Sequence, residues 1–525
     1  MGNNDEKKVE KRVPAVNRFV VSYRRAGKRG DLDKLKSARD VFERTFARQL
    51  TRHVTILSHN EEASEEKRGI KIFDADYLEM NKLKKELPAD LIIERLITRK
   101  PAVALPFNVS LSAYQPVGRG DTIEFFTKSG DKPLADISAG VNFVLKAYPT
   151  GGGSSVSLSS ETDSNGKVVF EYDSNVWLPV GAMFEPKHSY WMPAPATQFF
   201  DKTINFIPLP KTGPFGWWHH MIGISIYDPN LGSGIKIGAV DTGGGPNSNL
   251  SNLKSVGAFI DGKYDNRPDA ALDSTNHGTH VCGIIAASPP WQSNDFVGIA
   301  PGAEVYTARV FPKDLNATQG DIANAIDTLV SEHGVHLINM SLGSGEPSEI
   351  ELDAIRFAME HGALCICAAG NDNGGPVCFP AAYAETVAVS ALGLLGMYPP
   401  GTLSSWFTPK ELDKFGMGGS FLASYSNIGN TIVCCAPGTG IISTVPATSD
   451  YPAPYLAMDG TSMSAPMVTG AVAACLSKDE RFKIMPPDLD RFGYVVQVAM
   501  VVFSNSLNLS PLYQGYGMVN IRPFI

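Results

Sequence analysis

The sequence predicts an α/β protein: a mainly parallel sheet with helices on both faces, preceded by an α+β ferredoxin-like unit and a small β-sandwich. Three observations predict it. Apolar strands alternate with helical patterns across residues 212–525, and parallel strands need such crossovers. Residues 14–100 carry a βαββαβ pattern of their own. Between them, residues 107–200 lose charge and gain Gly, Ser, Thr and Val in short strand-like runs. A chain of 525 residues exceeds one ordinary core, and 43% hydrophobic with 19% charged residues describes a globular protein.

Residues 1–13 are charged and patternless, too poor in apolar surface to order themselves. Residues 19–23 read as a strand. Residues 31–50 set Leu32, Leu35, Ala38, Val41, Phe42 and Phe46 at helical spacing. Strands follow at 54–57 and 69–73, then a short helix over 77–87 stopped by Pro88, then a strand at 91–96. In the middle unit, 141–148 is a strand. Residues 162–167 hold an Asn165-Gly166 turn before the strand at 168–172, as in a β-hairpin. That unit is either a spacer or a module that recognises a substrate or partner. A Pro-rich linker, 208–214, leads to His219 and His220, which lack a nearby third residue for a metal.

Beyond the linker, strands fall near 236–241, 304–310, 337–342, 364–369, 387–392 and 432–436. Helices fall near 278–287, 320–333, 349–361 and 463–476. Asp241, Ser341 and Asn371 then lie at the carboxyl ends of strands, where open α/β sheets put their sites. Residues 394–420, Gly- and Pro-rich with Trp406 and Phe407, read as an inserted surface flap.

The chemistry centres on Gly460-Thr461-Ser462-Met463-Ser464-Ala465-Pro466, just before a buried helical run. A serine in the first helical turn turns its hydroxyl to the loop side. Its own N–H is an orphan donor aimed where negative charge can develop. Pro466 is expected in that first turn, where a proline loses no hydrogen bond. Three further segments complete a hydrolytic site: a strand ending on Asp241, a helix opened by His277-Gly278-Thr279-His280, and Ala368-Ala369-Gly370-Asn371 closing an apolar strand. The order Asp, His, Asn, Ser resembles the subtilisin-like serine proteases over residues 212–525. Residues 14–100 look like the propeptide inhibitor domain of that family, though an unrelated ferredoxin-like module fits the same pattern.

The resemblance implies roles. Ser462 is the nucleophile, His277 its general base and then acid, and Asp241 the group that holds the imidazole. Asn371 donates to the oxyanion beside the Ser462 N–H, and His280 is a packed structural histidine. Ser341-Leu342-Gly343 resembles the edge strand that pairs with substrate, and Ala368-Ala369-Gly370 the opposite wall of the main specificity pocket. Cys378 falls at the pocket base and would favour a small or medium residue before the cleaved bond, whereas Asp372 at the rim could favour a basic one. An aspartic protease would need a second Asp-Thr-Gly beside Asp241-Thr242-Gly243, and a His-Glu-x-x-His zinc site needs another spacing than His277-Gly278-Thr279-His280. The expected chemistry therefore uses neither metal nor cofactor. The segment 288–295 does not resemble the family's calcium loop.

Charge is uneven. Residues 1–100 hold 24 Lys and Arg against 17 Asp and Glu, while the whole chain is at −8. The reading is a basic inhibitor docked on an acidic peptidase within one molecule, with no nucleic acid and no membrane as partner. Seven cysteines, all between Cys282 and Cys475, and a charged start without an apolar leader, give a cytoplasmic expectation. The domains expected are 14–100, 107–200 and 212–525: inhibitor, β-sandwich and peptidase. The function expected is a serine endopeptidase acting on proteins or peptides, made as an autoinhibited zymogen with a maturation cut within 97–107. The alternatives are a protease that keeps its N-terminal domain until an activating partner releases it, and a catalytically silent binding protein.

Overall fold

Among the described residues, nine strands form the central sheet of the structure, a computed structural model. It describes residues 16–25, 27, 58–59, 70–84, 91–104, 121–145, 155–196, 202–273, 275–290, 293–313 and 316–524. The expectations for 1–13, for a helix over 31–50 and for a strand at 54–57 lie outside the described residues. The sheet order is Lys263–Asp265, Leu253–Ile260, Glu304–Arg309, Lys236–Asp241, Leu337–Met340, Leu364–Ala368, Thr386–Leu394 and Ser420–Leu422, with Ile432–Pro437 also paired to Thr386–Leu394. The inner pairs are parallel. Their strands are near-continuous apolar runs because both faces are covered.

Two helix layers do the covering. His277–Ala286, Thr461–Ser477 and Leu489–Val502 pack on one face, around Ile237, Ala239, Ile366 and Ala368. Gln319–Ser331 and Glu349–Glu360 pack on the other, around Val240, Ile338, Met340, Cys365 and Cys367. The two-residue alternation of strand side chains divides one sequence between two cores. All seven cysteines are buried and free.

A second, antiparallel sheet is built from Val16–Tyr23, Ser58–His59, Ile70–Asp76 and Leu91–Arg95, with the first strand between the third and fourth. Its inner residues Val20, Ile70, Phe73 and Ile92 share the core of the Gln319–Ser331 and Glu349–Glu360 helices. The approach is close: a Cβ on Gly320 would stand 3.1 Å from Ile70. Ions lock the join. Arg25, fully buried, donates to Asp327 at 3.1 Å and to Asn324 at 2.9 Å, and its backbone N–H donates to Asp353 at 2.6 Å. Arg24 meets Glu349 at 2.7 Å. Glu94 accepts from the Ser348 hydroxyl and the Glu349 N–H at the start of Glu349–Glu360, where the helix dipole favours a carboxylate. Arg24 and Arg25 thus meet carboxylates of two helices of the same chain.

In the chain between these parts come two small sheets. Asp121–Ser129 pairs with Lys167–Tyr172, Lys132–Pro133 and Thr203–Asn205, while Ser138–Leu145 pairs with Ser155–Glu161 and Trp177–Glu185. Ile123, Phe125 and Phe170 of one sheet meet Val141, Phe143 and Phe184 of the other in one apolar cluster. The hairpin expected across residues 162–172 does not form. The Asn165-Gly166 turn forms, but its flanking strands belong to different sheets. Gly166 lies against the neighbouring strand, accepting from the Thr127 N–H at 2.8 Å, and Thr162 donates to the Leu134 carbonyl at 2.9 Å. Those ties carry the chain across rather than back.

The segment 394–420 is likewise more than a surface flap. Trp406 is exposed, but Leu403 and Phe407 are buried with Tyr425, Met192 and Ala104.

Candidate active site

Asp241 ends its strand at the carboxyl edge of the sheet, 1% exposed. Its Oδ1 accepts from the Thr242 N–H at 2.7 Å and from His277 Nδ1 at 2.6 Å. His277 is the first residue of His277–Ala286. That helix start is anchored by Asp273, whose carboxylate accepts from the N–H groups of Thr275, Asn276 and Thr279 and from the Thr242 hydroxyl. Gly278 lets the helix close on the loop, since a Cβ there would stand 2.0 Å from the Gly243 carbonyl oxygen. Burial alone would lower the His277 pKa, but the charge and hydrogen bond of Asp241 hold it above the usual imidazole value. His277 Nε2 is buried without a hydrogen-bond partner among the described residues. His280, one turn on, donates to the carbonyls of Ile441 and Leu456 at 3.0 Å, and burial drives its pKa to about 3. It is a neutral packing group. His219 is similar: its Nε2 donates to the Val297 carbonyl at 2.9 Å, and its pKa is about 3 through burial.

Ser462 is the second residue of Thr461–Ser477, a helix buried along its whole length. Its hydroxyl donates to the Ser341 carbonyl at 2.9 Å. Pro466 is sixth in this helix rather than in the first turn, so it does remove a helical hydrogen bond, the one that would end on the Ser462 carbonyl. The Ser341 hydroxyl fills that gap, donating to the Ser462 carbonyl at 2.8 Å. That bond ties the serine to the segment joining Leu337–Met340 to Leu342–Gly343.

A stretch of the chain's own backbone lies across these residues. Thr98–Pro101 pairs antiparallel with Leu342–Gly343 on one side and with Ala317–Thr318 on the other. The Ala102 N–H donates to the Ser341 carbonyl at 3.1 Å, and the Ala104 N–H to the Asp459 carbonyl at 2.8 Å. The Ala102 carbonyl oxygen accepts from the Ser462 N–H at 3.3 Å and from Asn371 Nδ2. Gly460 is needed at this point, because a Cβ there would stand 2.5 Å from the same oxygen. Asn371 is aimed by Thr461, a residue that sequence reasoning passed over. The Thr461 N–H and hydroxyl both donate to Asn371 Oδ1 at 3.0 Å, which leaves Nδ2 to face Ala102. The Gly-Thr-Ser tripeptide could have signalled it, since a hydroxyl beside the serine is within reach of whatever the serine faces.

The cleft around this stretch has a volume of about 570 Å³. Gly343, Gly370, Asn371, Cys378 and Glu185 are among its lining residues, as are Met192 and Leu403, which pack with Ala104. Ala368 and Ala369 are fully buried behind Gly370, in the two helix-covered cores, and so support the wall rather than form it. Cys378 Sγ would sit 2.6 Å from a Cβ on Gly370 and its Cβ 3.1 Å from one on Gly343, so the thiol fills the space between those glycines. Burial and the nearby Asp372 push that thiol up to about 12, which keeps it neutral. Asp372 faces Lys100 at 3.7 Å, two residues before Ala102.

Residues 232–501 match the family model described as the subtilase family. The chain belongs to the subtilase family. It is 31% identical over 285 residues to the alkaline protease of Alkalihalobacillus alcalophilus, covering 54% of this chain and 65% of that protein, so the match spans less than two thirds of that relative's length. It is 31% identical over 248 residues to Subtilisin Savinase of Lederbergia lenta, covering 47% and 78% of the two chains. To Subtilisin DY of Bacillus licheniformis it is 29% identical over 298 residues, covering 55% and 90%. The matched part of this subtilase is a subtilisin-like serine endopeptidase domain.

Proposed function

We propose that this subtilase is a serine endopeptidase made as an autoinhibited zymogen, and that it cuts its own chain between Ala102 and Val103. One observation carries the reading: the Ala102 carbonyl oxygen is held by the Ser462 N–H and Asn371 Nδ2, the two donors a developing oxyanion needs. The strand pairing of residues 98–101 supports it by presenting the backbone extended on both sides.

In this reading the Ser462 hydroxyl leaves the Ser341 carbonyl and gives its proton to His277 Nε2 as its oxygen attacks the Ala102 carbonyl carbon. Asp241 stabilises the imidazolium. Collapse breaks the Ala102–Val103 bond, His277 returns the proton to the Val103 amine, and water then hydrolyses the Ala102 ester. Val103 becomes the new N-terminus, inside the expected window of 97–107. Residues 14–100, with their antiparallel sheet docked through Arg25, Arg24 and Glu94, act as the inhibitor. Residues 107–200 act as a β-sandwich whose Glu185 and Met192 wall the cleft beyond the cut bond. The preferred residue before the bond is small, because Cys378 closes the pocket behind Ala102. Substrates are proteins or peptides, and seven buried free thiols suit the cytoplasm.

A second reading is favoured by the buried ions of the join. Arg25 and its partners hold the N-terminal domain after the cut, so a partner protein that competes for those helices would release activity. Intact mass of wild type beside Ser462→Ala tests the core of the proposal. Wild type should give a chain starting at Val103 and the variant should stay whole. Identical full-length masses would rule out self-cleavage, and no fluorophosphonate labelling at Ser462 in the cut protein would instead mean a silent binding protein.

A further inference from the structure

Arg99 and Lys100 are adjacent basic residues treated in opposite ways. Lys100 is about half exposed and stands 3.7 Å from Asp372. Arg99 turns inward and is fully buried. Its Nε and Nη2 donate to the two carboxylate oxygens of Glu351 at 3.2 and 2.7 Å. Its Nη1 donates to the Glu346 carbonyl at 2.8 Å and to the Ser344 hydroxyl. Glu351 is itself fully buried, in the first turn of Glu349–Glu360.

We propose that Glu351 is a specificity-determining residue: this endopeptidase selects substrates with arginine three residues before the residue whose carbonyl is attacked, and a small residue at that last position. The inference rests on reading Ala102–Val103 as the cut bond. The guanidinium fork matches a carboxylate with two parallel bonds and still reaches Ser344 and the Glu346 carbonyl. A lysine brings one point charge and cannot span all three acceptors. A neutral side chain would cover the Glu351 carboxylate without a positive partner, which opposes binding strongly in a dry slot. Adjacent backbone pairing through Leu342–Gly343 is blind to side chains, so this slot and the Cys378-backed pocket supply the choice.

The test uses full-length protein allowed to process itself. Internally quenched peptides spanning residues 98–104 would carry Arg, Lys, Gln or Glu at the position of Arg99, and casein digestion would be followed in parallel. Arginine should exceed glutamine by about 10²-fold in kcat/KM, the scale of losing one arm of a buried charged pair, with lysine between them. In Glu351→Gln the Arg/Gln ratio should collapse to within a few-fold. If that variant does not fold, the wild-type peptide series decides alone. Wild type that digests casein yet cuts the Arg and Gln peptides equally would overturn the inference and leave the protease reading standing. Failure on casein together with no labelling at Ser462 would overturn both.

Discussion

Gly460→Ala is the sharpest probe of where the attacked carbonyl sits. The new methyl would stand 2.5 Å from the Ala102 oxygen and 3.3 Å from Val103 Cα and the Ala104 N. A carbon and an oxygen in even a C–H···O contact stay ~3.3 Å apart, so the carbonyl must retreat by roughly 0.8 Å. It then loses the Ser462 N–H and Asn371, which reach it only at that depth. A misplacement of ~1 Å costs about 10²-fold in rate. The φ of 157° at Gly460 adds backbone strain for alanine. Appearance of the chain beginning at Val103, timed by mass spectrometry on freshly folded protein, should slow by about 10²-fold, while fluorophosphonate labelling of cut protein falls less. Self-cleavage of Gly460→Ala at the wild-type rate would refute the geometry on which the proposed reaction depends.

Three other outcomes follow from the same contacts. Arg25→Ala removes the guanidinium from buried Asp327, a loss of about 3–5 kcal/mol, so the cut N-terminal domain should dissociate at least 10²-fold more readily, read as peptide turnover without added activator. Because the folded-state pKa of His277 is raised, its pairing with Asp241 stabilises the fold fully below the unfolded value of 6.5 and fades as pH rises through the folded one. In the proposed reaction catalysis runs oppositely, since His277 as base must be neutral: kcat/KM should rise with pH with a midpoint above 6.5, and Asp241→Asn should move that limb down in the pH–rate profile. Cys378→Gly should open the pocket base and improve cleavage after Phe relative to Ala by about 10-fold in a peptide series.

The residues proposed for catalysis are legible in the sequence because each is tied to a local signal. Asp241 ends an apolar strand, His277 opens a helix of small residues, and Ser462 follows a Gly-Thr turn. What escaped was whatever depends on partners distant in sequence. Gly166 looked like a hairpin glycine, and only the strand beside it sends the chain to the other sheet. Pro466 reads as harmless because helix starts are uncertain by a few residues, and the Ser341 hydroxyl that compensates for it lies 121 positions from the Ser462 carbonyl it serves. Ala368 and Ala369 sit on the expected wall strand, but the strand's alternation sends both into the cores, leaving Gly370 to reach the cleft. Nothing in the charge balance tells that Arg99 points in while Lys100 points out.

Residues 98–101 fill a slot between two backbone rims, one at 317–318 and one at 342–343. Once that filler departs, both rims lack partners until another extended polypeptide arrives. In the proposed zymogen the first incoming substrate contests the seat that residues 98–101 hold, so the first turnover is a displacement. Progress curves should begin with a delay that shortens as peptide concentration is raised.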